Sequence, residues 1–88
     1  MNKKLFEHKI CQIQTATSKT GKPYFNIKVE NGYCIGEGND REKPFKVKLD
    51  KLYEALCHFK EITPTKLKPY VNGNQSPAYA ILKEAKLI

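Results

Sequence analysis

Residues 24–30, Tyr-Phe-Asn-Ile-Lys-Val-Glu, alternate between apolar and polar side chains and run directly into Asn31-Gly32. Period-two alternation is the pattern of a half-buried strand. Asn-Gly is the dipeptide that best tolerates the left-handed backbone of a tight hairpin turn. The two signals in succession demand an antiparallel hairpin. In this phase Phe25, Ile27 and Val29 share the core-facing side, and Tyr24, Asn26, Lys28 and Glu30 share the other. Upstream, Ser18-Lys-Thr-Gly-Lys-Pro23 reads as a turn because of Gly21 and Pro23. A second hairpin is therefore expected on the N-terminal side of the first.

The remaining segments are read around these hairpins. Residues 4–17 suggest a long first strand, with Leu5, Cys11 and Ile13 on one parity and Phe6 and Ile10 on the other. The slip near Ile10-Cys11 is read as a bulge or sharp bend, since one extra residue exchanges the faces of a strand. A third strand starts at Tyr33-Cys-Ile35, is interrupted by a loop over Gly36–Pro44, and resumes at 45–49 with Phe45, Val47 and Leu49 inward and Lys46 and Lys48 outward. Asp50 suits the N-cap of a helix over 51–60, whose Leu52, Leu56 and Phe59 fall on one stripe. Thr63-Pro64 is read as ending the helical region, Leu67 to Asn72 as a fourth strand with an edge-type Pro69, and Ala78 to Leu87 as a last strand. The expectation is an all-β fold with small helical content: a five-stranded OB-fold-like barrel with one short helix between strands three and four. An SH3-like barrel and an α+β sheet with one covering helix are the alternatives.

The chain has 88 residues, which fits one domain spanning 1–88 with a thin core. Its formal charge of +7 favours polyanionic partners, nucleic acid first and an anionic membrane surface second. All 16 basic residues except Arg41 are lysines. Lysine offers a point charge to phosphate, whereas bidentate base reading prefers arginine, so the composition leans toward sequence-tolerant binding. There is no apolar run of membrane-spanning length and no signal-peptide stretch after Met1-Asn-Lys-Lys, so a soluble cytoplasmic protein is expected. Cys11, Cys34 and Cys57 are widely spaced, and no C-x-x-C pair points to a metal. No cofactor or metal is expected. Reduced thiols agree with the cytoplasm. No catalytic motif is found, and Glu37, Asp40 and Glu42 are read as solvated loop charges, so an enzyme is not expected.

At this point the chain resembles the small single-stranded DNA-binding proteins of the gene V class of filamentous phages. The likeness lies in Ser18-Lys-Thr-Gly-Lys-Pro-Tyr24, in Lys43-Pro-Phe45, and in the glycine-bearing turn before a terminal basic segment, Gly73 to Lys86. The helix expected at 51–60 looks more like the linker helix of ordinary OB-folds. The resemblance implies a homodimer that coats single strands, with a role at the replication intermediates of a phage or mobile element.

Single-strand binding needs cations along a groove and aromatic faces for bases. The residues expected to supply them are Lys19, Lys22, Tyr24, Lys28, Tyr33, Arg41, Lys43, Lys46 and Lys48. Tyr24 is the principal stacking candidate, because it shares the lysine-bearing face, and its replacement by alanine is expected to weaken binding without unfolding the domain. Tyr70 and Tyr79 are divided between stacking and packing. The expected partner is single-stranded DNA, with RNA left open. The competing expectation is a small barrel that serves as an adaptor or inhibitor and binds a protein.

Overall fold

The computed structural model describes residues 2–88. Its elements are, in order, helix α1 (Lys3–Cys11), strands β1 (Ala16–Thr17), β2 (Pro23–Glu30), β3 (Tyr33–Gly38) and β4 (Phe45–Lys48), then helices α2 (Leu49–His58), α3 (Pro64–Val71) and α4 (Gln75–Glu84). The strands form one antiparallel meander in the order β1-β2-β3-β4. This is an α+β fold, and it overturns the expected five-stranded barrel with one short helix.

Three segments expected as strands are helices, because their buried residues recur at helical intervals. Phe6, Ile10 and Ile13 are buried at helical intervals, so the apparent phase slip at Ile10-Cys11 is the turn of a helix. Asn2 starts α1, its Oδ1 accepting from the Leu5 N–H at 2.8 Å. Thr63-Pro64 opens a helix instead of closing one. The Thr63 Oγ1 accepts from the Lys66 N–H at 3.3 Å, and Pro64 occupies the helix start, where no N–H is required. Leu67 and Val71 then fall one turn apart in the core. Asn72 (φ 50°) and Gly73 (φ 87°) end α3 in the left-handed region. In α4, Ala78, Ile81 and Leu82 are buried at the same intervals.

Both turns stand as expected, but of the first strand read over 4–17 only Ala16 and Thr17 pair with β2. Asn31 (φ 52°) and Gly32 (φ 80°) make the tight β2–β3 turn, with Glu30 opposite Tyr33. The Ser18–Lys22 turn is closed by the Ser18 N–H donating to the Lys22 carbonyl and by the Ser18 Oγ accepting from the Lys22 N–H, both at 2.8 Å. Residues 33–38 and 45–48 are two separate strands joined by a turn, and not one interrupted strand.

One extra residue in β2 decides which side chains face the core. Tyr24 pairs with Gly38 and Phe25 with Glu37, but Lys28 pairs with Ile35, so the register gains one residue on β2. Asn26 takes it up at φ 52°, with its side-chain amide donating to Glu37 at 2.8 Å. Ile27 faces the core as expected, yet Tyr24 does so too and Phe25 is only half-buried. The glycines of β3 make room for the rings. A Cβ on Gly36 would lie 2.6 Å from Phe45 Cζ, and one on Gly38 would lie 3.1 Å from the Tyr24 ring. Sequence alone placed both glycines in a flexible loop.

The helices pack on this inner face. Phe6, Ile10, Leu52, Leu67, Ile81 and Leu82 close over Tyr24, Ile27, Cys34, Phe45 and Val47. Burial pushes the Cys34 thiol up to about 12, with Cys11 adding to the shift, so Cys34 is a protonated packing residue. Asp50 does not cap α2. It stands in the first turn and pairs with Lys3 of α1, tying the two helices together. The hydrogen bond and charge of Lys3 lower the Asp50 pKa, and the same hydrogen bond raises that of Lys3. Among the described residues no helix is long and apolar enough to cross a membrane.

Candidate nucleic-acid interface

The strand side chains that alternate with the core-facing set form a second, more exposed face of the sheet. Its layout follows from the two registers. Lys28, Ile35 and Lys46 lie in one row across β2, β3 and β4, and Glu30, Tyr33 and Lys48 lie in the next. All four charged residues at the row ends, Lys28, Glu30, Lys46 and Lys48, are exposed, while Tyr33 and Ile35 between them are half-buried. The tight Asn31-Gly32 turn fixes this arrangement, because a slip of one residue would send Tyr33 inward.

Tyr33 is the centre of the face. The Lys46 ammonium sits over its ring, 4.3 Å from the centroid, a diagonal cross-strand contact. Lys48 stands directly opposite on β4. Neither Lys46 nor Lys48 forms an ion pair within 4.0 Å among the described residues, although Lys48 lies close enough to Asp50 to help lower its pKa. Lys28 pairs with Glu30 at 3.2 Å and Lys51 with Glu54 at 3.5 Å, both in solvent, where such pairs exchange readily.

The face continues into a groove of about 310 Å³ between β4, α2 and α3, whose walls include Tyr33, Lys46, Lys48, Lys51, Tyr70 and Asn74. Asn74 holds it in shape. Its amide donates to the Lys46 carbonyl at 3.2 Å, and its Oδ1 accepts from the Arg41 guanidinium at 2.7 Å. Tyr70 is partly committed to packing, its ring lying edge-on to Phe59 at 6.0 Å. Two cations without a close ion pair, a third in an exchangeable pair and a half-exposed phenol ring therefore share one groove. Such a surface can neutralise phosphates and offer a platform to a base.

The sequence-expected residues divide. Tyr33, Lys46 and Lys48 come together in the groove, and Lys28 lies on the same sheet face. Lys19 and Lys22 are at the Ser18–Lys22 turn, where Lys22 pairs with Asp40 at 3.4 Å. Arg41 and Lys43 lie in the β3–β4 turn, and Arg41 is engaged by Asn74. Tyr24 leaves the set. It is 5% exposed, its hydroxyl is 2.9 Å from the Ser76 Oγ, and its ring meets Phe45 edge-on at 5.6 Å. Lys51 and Asn74 were missed. A helical reading of 64–71 would have brought Tyr70 and the Asn72–Asn74 turn back against β4, and that reading was open from the Thr63-Pro64 pair and the Leu67/Val71 spacing.

Glu37 and Asp40 are occupied by Asn26 and Lys22 respectively. Among the described residues no three His, Cys, Asp or Glu side chains are grouped to hold a metal ion. No protein-family model matches the chain, and neither a curated protein nor a solved structure matches it.

Proposed function

We propose that the outer sheet face binds single-stranded nucleic acid, DNA foremost, with little sequence preference. The observation that carries the reading is the half-exposed Tyr33 ring set between Lys46 and Lys48, neither of which forms an ion pair within 4.0 Å among the described residues. Lysines along the face displace condensed counterions, and a base stacks on the phenol ring for about 1–3 kcal/mol. The near-absence of arginine suits backbone contact over base reading. The OB-fold that accompanied the phage resemblance is not this chain's fold, so the proposal rests on the face itself.

Anisotropy titration with labelled oligo-dT tests it. Four lysine–phosphate contacts weaken affinity by roughly 50-fold between about 50 and 200 mM salt. Salt-independent binding, or equal binding to duplex DNA, overturns the reading. Failure to bind any oligonucleotide, with capture of a defined protein instead, shifts the chain to the adaptor class.

A further inference from the structure

A second concave surface lies on different elements and shares no residue with the lysine groove. It opens between the C-terminal end of α2, the connector into α3, and α4, with a volume of about 540 Å³. Leu56, Phe59, Ile62, Tyr79 and Leu87 form its apolar floor and walls. Lys60 and Lys83 stand on its rim, exposed, against a single acid, Glu61. A third cation, Lys66, lies 5.4 Å from the Phe59 ring centroid.

This combination selects its occupant. A second copy meeting groove to groove would gather four rim lysines against two glutamates, in molecules that each carry +7. A nucleic acid strand calls for a run of cations along its phosphates, and only Lys60 and Lys83 stand on this rim, while Phe59 is already edge-on to His58 at 4.7 Å and to Tyr70 at 6.0 Å. A short acidic peptide with an aromatic or aliphatic anchor satisfies both parts: the anchor fills the apolar floor and the carboxylates meet the rim. The volume lies in the range of pockets that enclose small ligands or a few side chains. We infer that the α2–α4 groove is a docking site for an acidic, apolar-anchored peptide segment of a partner protein. The inference stands apart from the nucleic-acid reading, since it uses no residue of the sheet face.

The test is anisotropy of the full chain with a fluorescein-labelled peptide of glutamate and aspartate bearing one phenylalanine and one leucine. Saturable binding is expected, weakened roughly tenfold by the double reversal Lys60→Glu/Lys83→Glu. A control peptide with serine at the two apolar positions should bind much more weakly, and Lys46→Glu/Lys48→Glu should leave the first peptide's binding nearly intact. Both rim lysines are exposed, and an unchanged circular dichroism melt checks that the reversal has not unfolded the chain. Equal binding of the serine control reduces the effect to bulk charge and overturns the inference, as does absence of saturation. Sedimentation showing a dimer that Leu87→Glu dissociates gives the groove to a second copy. Oligo-dT binding that is lost with the Lys60/Lys83 reversal but kept with the Lys46/Lys48 reversal gives it to nucleic acid.

Discussion

Tyr24 and Tyr33 sit on neighbouring strands of one sheet and have opposite fates. Tyr24 points inward, sealed against Phe45 and bonded to Ser76 at 2.9 Å. Tyr33 points outward, under an ammonium and beside a second lysine. Residue type does not separate them, and neither does local composition, since both have lysines close in sequence. The separation comes from the single extra residue at Asn26, which reverses the facing of everything before it in β2 and leaves β3 untouched. An outward tyrosine and a buried one differ here by a register.

The contrast can be broken at either ring. Tyr24→Ala should be the most damaging change, costing about 3–5 kcal/mol of stability through the cavity it opens, read as the shift in the urea midpoint. Tyr24→Phe should cost only about 1 kcal/mol, the worth of the Ser76 hydrogen bond. A stable, folded Tyr24→Ala protein would contradict the inward placement. Tyr33→Ala reverses the outcome: oligo-dT affinity should fall by about 1–3 kcal/mol with the melting temperature nearly unchanged. Unaltered affinity would remove Tyr33 as a stacking platform.

The bulge itself can be probed. Asn26→Val forces a β-branched side chain into the left-handed region and should cost about 1–2 kcal/mol, whereas Asn26→Gly should be close to neutral. Chemical denaturation of the pair separates backbone strain from loss of the Glu37 hydrogen bond, which both variants remove. The smallest effect belongs to the exposed Lys3–Asp50 pair. The Asp50 pKa is lowered in the folded chain, so its contribution is present above the ordinary aspartate value of 3.8 and fades as pH falls through the folded value. The Lys3 pKa is raised, so its part is lost only as pH climbs past 10.5 and through the folded value. Asp50→Asn should therefore narrow the melting-temperature difference between neutral and acidic solution slightly, and a variant indistinguishable from the parent at both pH values would show the pair to be inert.

Legibility followed the strength of local codes. The Asn31-Gly32 turn, the Ser18–Lys22 turn and the alternating Phe45–Lys48 strand were readable because backbone geometry and side-chain period agree there. The three flanking helices were not. Each buries only a few residues of a short segment: Phe6/Ile10 and Leu67/Val71, four apart, fit either period, whereas Ala78/Ile81/Leu82 already carried the helical spacing. Pro69 within α3 strengthened the wrong choice. Of the binding face, Lys46, Lys48 and Tyr33 were found because they follow from strand parity. Tyr24 was assigned outward because a bulge carried by an asparagine leaves no mark in the alternation.

The Asn74 amide that holds the groove has a wider effect. Strand β4 ends the sheet, and its Lys46 carbonyl is already taken by a side chain from the α3–α4 turn. At the opposite margin β1 offers only two paired residues. β1 pairs only with Pro23 and Tyr24 of β2, so the later residues of β2 have no strand partner on that side, whereas on β4 the Asn74 amide occupies an acceptor that an added strand would need. The residue that shapes the groove thus also guards this margin of the sheet, since a strand adding to β4 would first have to displace the Asn74 amide from the Lys46 carbonyl.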